Sequence, residues 1–231
     1  MAVTVGSASA PGAEANTDQD RLRQVGNKVR ASLAGNKAVF RIPVDQAELW
    51  LVENFFDPVE CGRLITMIDS VARPSDLYDG EGRPGFRTSY SGDLNPLDPF
   101  VRKVQRRIDR LLNLNPGFGE DPQGQRYSVG QEFQAHEDWF PANSRHWGFE
   151  RNRGGQRSIT AMAYLNPVEA GGATEFPRLE IAVDPRPGML LIWNNADRNG
   201  VPNPFTLHAG MPVVRGAKYV ITKWYRSWKW R

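Results

Sequence analysis

The chain has 231 residues, 40% of them hydrophobic, which is enough for one substantial core and favours a single domain with a small appendage. Its formal charge of +3 is too small to imply nucleic acid by itself. One cysteine, Cys61, excludes an intrachain disulfide, and no apolar run is long enough to span a bilayer.

These properties predict a soluble protein of a reducing compartment, the cytoplasm. The N-terminus has no basic residue before Arg21 and no apolar centre, so a secretory leader is not expected. Residues 1–16 are small, polar and without periodicity, which predicts disorder. At Thr17 a T-x-x-D capping pattern begins. Leu22, Val25, Val29 and Leu33 follow at helical spacing, with Gly35 as the stop. Residues 47–56 read as a strand. Asp57-Pro58 and Asp98-Pro99 each set a capping aspartate before a proline of the first turn. The two helices they open carry Leu64, Ile65, Ile68 and Val71, then Val101, Val104, Ile108, Leu111 and Leu112, on their buried faces. Between them, residues 75–94 are rich in Gly, Asp and Ser and read as a long connection. Loops of that kind often cover sites, and Gly80, Gly82 and Gly85 would permit motion.

From about residue 125 short β-type runs alternate with turns: QRYSVGQEF, SITAMAYLN, LEIAV, MLLIW, PVV and AKYVITKWY. Strands at that density, with 22 glycines and 17 prolines in the chain, predict an antiparallel sandwich or jelly roll. The expected architecture is α+β: mainly β with supporting helices. Helices come first, over 17–124, and an all-β core follows over 125–231, in one domain.

The stretch AHEDWF, 135–140, holds two groups able to bind metal. Side chains two apart on a strand share a face, so His136 and Asp138 can share an ion while Glu137 points away. Two histidines and a carboxylate on one side of ferrous iron leave positions open for reactants. Alone, H-x-D is a weak signal, and a polar strand end is the plainer reading. Only three histidines exist. His146, in a basic loop ending in glycine, reads as a solvated residue. His208, in a late strand-like run, completes the set if a jelly roll brings that strand beside the first. Lys218, among Ala217, Tyr219, Val220 and Ile221, faces either solvent or the barrel mouth; inside, an ammonium needs an anion.

The segments RYSVGQEFQAHEDWF, GGQRSITAMAYLNPVEAGGATEFP, PRPGMLLIWNN and LHAGMPVVRGAKYVITKWYR resemble the catalytic domain of prolyl 4-hydroxylases. Those are iron(II)- and 2-oxoglutarate-dependent dioxygenases. The resemblance is dense over 125–226 and continues upstream in LVENFFDPVECGRLI and FRTSYSGDL, which are similar to the family's helical support and lid loop. It implies one catalytic domain, with a helical support and lid loop over 17–124 and a double-stranded β-helix (jelly-roll, cupin-like) core over 125–231. It implies that His136, Asp138 and His208 bind iron, and that Lys218 pairs with the distal carboxylate of 2-oxoglutarate. It implies that Tyr127 and Thr174 hydrogen-bond that same end, and that Arg157 and Trp224 line the substrate groove. It further implies dioxygen as co-reactant, ascorbate as an accessory reductant, and succinate and carbon dioxide as co-products. The carboxylate of Asp138 points to hydroxylation, since halogenating relatives carry a small residue there. Lysine at position 218, where nucleic-acid demethylases and lysyl hydroxylases typically use arginine, points to the prolyl side. Phe133 departs from the pattern, standing where the family often has an aromatic hydroxyl. Tyr164 reads as core, and Glu137 and Glu175 as surface or supporting residues.

The expected substrate is peptidyl-proline; a free amino acid or other small molecule is the alternative. Two readings come from other classes. One is a non-catalytic metal-binding jelly roll. The other is nucleic-acid binding by RGAKYVITKWYRSWKWR, 215–231, where cations alternate with aromatic rings. A final barrel strand with a solvated tail is the preferred account of that segment.

Overall fold

Both aspartate–proline pairs open helices. The computed structural model describes residues 18–75 and 85–230. In chain order the elements are α1 (Gln19–Ala34), β1 (Val39–Arg41), β2 (Leu49–Val52), α2 (Pro58–Val71), β3 (Arg73–Pro74), β4 (Tyr90–Asp93) and α3 (Pro99–Leu112), then β5 (Gln123–Tyr127), β6 (Phe133–His136), α4 (Trp147–Arg153) and β7 (Arg157–Tyr164), then β8 (Ala170–Gly171), β9 (Thr174–Phe176), β10 (Ile181–Val183), β11 (Leu190–Asn194), β12 (His208–Gly210), β13 (Val213–Arg215) and β14 (Lys218–Arg226). The Asp57 carboxylate accepts from the Glu60 backbone N–H while Glu60 reaches back to Asp57, a reciprocal cap. Asp98 accepts from the backbone of Phe100 and Val101. The buried faces are the expected ones, although Ile65, Val71 and Leu111 are only partly covered.

Among the described residues the strands form an eight-stranded sheet, β1-β2-β11-β7-β14-β5-β4-β3, a four-stranded sheet, β10-β9-β12-β6, and a small pair, β13-β8. Alternation along the strands builds a core on each face of the larger sheet. Ile159, Ala161, Leu190, Ile192, Ile221 and Tyr225 pack on α1, α2 and α3 through Val29, Leu64, Ile68, Val104 and Ile108. Their neighbours Met162, Tyr164, Leu191, Trp193 and Val220 point into the space between the sheets. Gly124 on β5 makes the helix–sheet approach possible: a Cβ there would lie 2.2 Å from Cγ1 of Ile68.

Three expectations are amended, and a fourth set falls outside the described residues. The larger sheet is not confined to 125–231, because β1 and β2 extend one edge and β4 and β3 the other. The 75–94 connection is partly strand: Tyr90–Asp93 pairs with β5, and Arg87 bridges Phe133. The basic loop 141–156 contains α4, whose Glu150 is fully buried. Finally, Thr17 lies outside the described residues, as do 1–16, Gly80 and Gly82. Asp18 precedes α1 without capping it; its carboxylate accepts from the Gln156 backbone, the Ser227 hydroxyl and the Trp228 indole instead.

Candidate active site

His136 closes β6 and His208 opens β12, and antiparallel pairing sets them directly opposite each other. Asp138 lies two residues beyond the end of β6. The Nδ1 of His136 contacts the Gln134 carbonyl at 2.8 Å, and that of His208 contacts the Thr206 carbonyl at 3.0 Å. A carbonyl only accepts, so each Nδ1 carries a proton and each Nε2 is left to face the other ligand atoms. One ligand atom from each of His136, Asp138 and His208 lies within 4.8 Å of the others. The expected triad therefore assembles, and this donor set suits ferrous iron.

The surroundings hold these groups in metal-binding form. Burial, reinforced by nearby His208, pushes the His136 imidazolium down to about 3, so the ring is neutral at physiological pH. Burial alone would raise the Asp138 carboxyl, but His208, Arg157, His136 and the Thr160 hydroxyl outweigh it and keep it ionised. Thr160 Oγ1 donates to Asp138 Oδ2 at 2.7 Å and accepts from Asn195 Nδ2 at 2.9 Å. Phe133 stacks on His136 with ring centroids 3.6 Å apart, and Trp193 meets His208 edge-on at 4.7 Å.

The triad opens into a cavity of about 510 Å³ that also receives Tyr127, Thr174, Lys218, Arg157 and Trp224. Lys218 is 2% exposed, and its ammonium lies over the rings of Tyr127 (5.2 Å) and Tyr164 (5.6 Å). No carboxylate among the described residues pairs with it, and burial lowers it to about 7. A buried ammonium without an anion fits a site for the far carboxylate of 2-oxoglutarate. The hydroxyls beside it are engaged within the protein: Tyr127 donates to Gln125 and Tyr164 donates to Thr174. Tyr164 is thus core, as expected, but supports the site through Thr174.

Arg157 and Trp224 share the cavity wall, with the guanidinium 4.0 Å over the indole. Arg157 is also held by both oxygens of Glu120, at 2.7 and 2.8 Å, and its Nη1 lies 3.9 Å from Asp138 Oδ1. His146 lies outside the cavity, directly before α4, where its Nε2 accepts from Arg145. Glu137 faces Arg178 at 3.6 Å.

Sequence reasoning missed Thr160, Asn195, Gln125 and Glu120. Thr160 had a usable signal: a polar residue within the otherwise apolar run from Ile159 to Ala163 of β7. The others depend on which strands become neighbours. The basic C-terminal segment is largely internal, since Lys218, Lys223 and Arg226 are all buried. Lys223 donates to Gln105, and Arg226 binds Glu120 and Glu150.

Residues 122–226 match the model of the 2OG-Fe(II) oxygenase superfamily. Prolyl 4-hydroxylase 2 of Arabidopsis thaliana is 31% identical over 201 residues, covering 76% of this chain and 66% of that protein. The chain thus spans just under two thirds of that relative. The alpha-3 subunit of prolyl 4-hydroxylase from Rattus norvegicus is 36% identical over 183 residues, 77% of this chain and 33% of the subunit. Among solved structures, the 2OG complex of the viral collagen prolyl hydroxylase from Paramecium Bursaria Chlorella virus-1 aligns with a TM-score of 0.60 and 26% identity, covering 84% of this chain and 97% of that one. The chain belongs to the 2OG-Fe(II) oxygenase superfamily. Its relatives put it among the prolyl 4-hydroxylase-like members, and its fold is their double-stranded β-helix.

Proposed function

We propose that the chain is an iron(II)- and 2-oxoglutarate-dependent hydroxylase acting on a prolyl residue of a peptide or protein, with succinate and carbon dioxide as co-products. The observation that carries this reading is one cavity containing two imidazoles whose Nε2 atoms face the other ligand atoms, an ionised carboxylate and a buried ammonium lacking an anion. His136, Asp138 and His208 hold the iron, which when bound supplies the oxygen activation that 2-oxoglutarate cleavage and C–H hydroxylation require. Lys218 pairs with the distal carboxylate; Thr174, whose hydroxyl accepts from Tyr164, has its own proton to donate to the same end, and Tyr127 reaches it by exchanging its bond to Gln125. Arg157 and Trp224 form the wall that receives the substrate, while Phe133 and Trp193 shield the histidines from water.

Residues 17–231 act as one catalytic unit in this reading, supported by a core that helices and larger sheet share. Ascorbate as reductant and a cytoplasmic location belong to the same proposal; for the latter the lone buried Cys61 is the support.

The test is anaerobic addition of ferrous iron and 2-oxoglutarate, read as the weak visible charge-transfer band of the chelate. Oxygen is then admitted, and succinate is quantified with and without proline-containing peptides. A band and peptide-stimulated succinate are expected. A band with slow, unstimulated turnover would redirect the search to small molecules, and no band would remove the metal assignment. Asp138→Ala should abolish both signals.

A further inference from the structure

The segment that leaves the cavity wall and the end of the chain meet in a second surface. Trp139, Phe140 and Pro141 line the cavity and lead directly to α4. The C-terminal segment lies against the far end of that helix, with the Trp228 backbone N–H donating to the Gly154 carbonyl at 2.9 Å. Charge is sorted by depth here. The acids are internal: Glu150 is 0% exposed and turned onto Arg226, and Asp18 is 2% exposed beneath Trp228. Asp20, exposed on α1, is engaged by Arg23. The cations are external: Arg21, Arg151 and Lys229 are exposed. Arg153 lies 5.2 Å over Phe149 and 4.3 Å over Trp230, and Arg21 lies 4.2 Å over Trp228. Phe149 and Trp228 are 58% and 42% exposed, respectively.

Resting on the reading of the cavity as a peptide hydroxylase site, we propose that α4 and residues 228–230 dock an acidic stretch of the polypeptide substrate that flanks the residue entering the cavity. Charge complementarity selects this occupant. Arginines stacked on aromatic rings keep their charge and present donor-rich edges that match carboxylates. The exposed rings add apolar contact for the peptide's intervening side chains. Reach is adequate: Phe149 is eight residues past Pro141, at most about 28 Å along the chain, so a peptide of similar length spans the gap. Single-stranded nucleic acid is the competing occupant. Its tight binding rests on many phosphate contacts, and the cations of β14 that could extend the track are buried.

The experiment uses the full chain and labelled dodecapeptides: one rich in Glu without proline, its Gln counterpart, and the same pair with one central proline. Fluorescence anisotropy reads binding, and succinate reads turnover. We expect the Glu peptide to bind about tenfold more tightly than the Gln peptide at low ionic strength, with the difference shrinking in salt. The charge reversal Arg151→Glu/Lys229→Glu should erase that ratio. So should Phe149→Ser in part, while both variants keep the wild-type melting temperature. Because the readout is a ratio within one preparation, partial misfolding does not mimic it. Equal binding of the two peptides, a preference that survives charge reversal, or tighter binding of a dT12 oligonucleotide than of the Glu peptide would overturn the proposal. Glu-peptide binding that charge reversal abolishes, without stimulation of succinate by any prolyl peptide, would uphold the docking surface and overturn the prolyl reading instead.

Discussion

At Asp138 a single hydroxyl decides the geometry. Thr160 donates to Asp138 because Asn195 fills its acceptor side, so the carboxylate is held before any metal arrives. Outer partners of metal ligands typically contribute 10–100-fold in affinity, so Thr160→Val should weaken ferrous or cobaltous binding by about that factor. Direct anaerobic titration checks it; Thr160→Ser should stay near wild type, and an unchanged Thr160→Val would deny the positioning role. Lys218 presents a conflict between stability and binding. Its ordinary value of 10.5 falls to about 7 in the fold through burial. The unfolded chain therefore binds more protons between those values, and the group's contribution to stability rises with pH across that window. Below about 7 the penalty of a buried cation is fully present. Lys218→Met should raise the melting temperature at pH 6 by several degrees, a gain that narrows toward pH 10, and should also abolish 2-oxoglutarate binding. In the wild type, affinity for 2-oxoglutarate should be flat below pH 7 and fall above it, by up to about tenfold per unit. Titration calorimetry across pH reads both.

The elements divide by how local their causes are. The Asp57 and Asp98 caps, the helix faces and the β-type runs of β7, β11 and β14 were legible because each depends on neighbours a few residues away. Element α4 was not, since a short basic, Gly-ended stretch looks like a loop until Arg226 gives Glu150 a buried partner. Strand β4 was hidden in the same way within a Gly- and Ser-rich run that only its pairing with β5 makes a strand. The contact of α2 with β5 is a testable case. Gly124→Ala would place a methyl against Ile68, and overpacking of this kind typically costs about 1–3 kcal/mol. Ile68→Ala opens a cavity alone but should partly relieve Gly124→Ala. Denaturant unfolding of both single variants and the double variant measures that coupling, and strict additivity would show that the two sites do not meet.

Across the whole molecule, charge networks join distant segments. Glu120 binds Arg157 and Arg226, and Arg226 also binds Glu150, which links the cavity wall, the last strand and α4. Burial pushes the Glu120 carboxyl up, but Arg157 and Arg226 outweigh it and hold it below its ordinary 4.5. Its contribution is thus present above pH 4.5 and lost as pH falls through the folded value. Glu120→Gln should destabilise the chain at pH 7 by up to about 3 kcal/mol, because two buried guanidinium groups lose the carboxylate they share, leaving Arg226 with Glu150 and Arg157 with only its 3.9 Å approach to Asp138. Urea unfolding at pH 7 and in acid should show the wild type converging on the variant as pH drops. Chain order by itself determined the helix caps, the β-type runs between turns, the His136–Asp138 pair and the family resemblance, because local spacing and short motifs carry them. Only the tertiary structure decided that His208 faces His136, that Thr160 and Asn195 brace Asp138, and that Lys223 and Arg226 of a basic tail turn inward. Each of these depends on pairing between segments far apart in the chain, and on which face of a strand becomes buried.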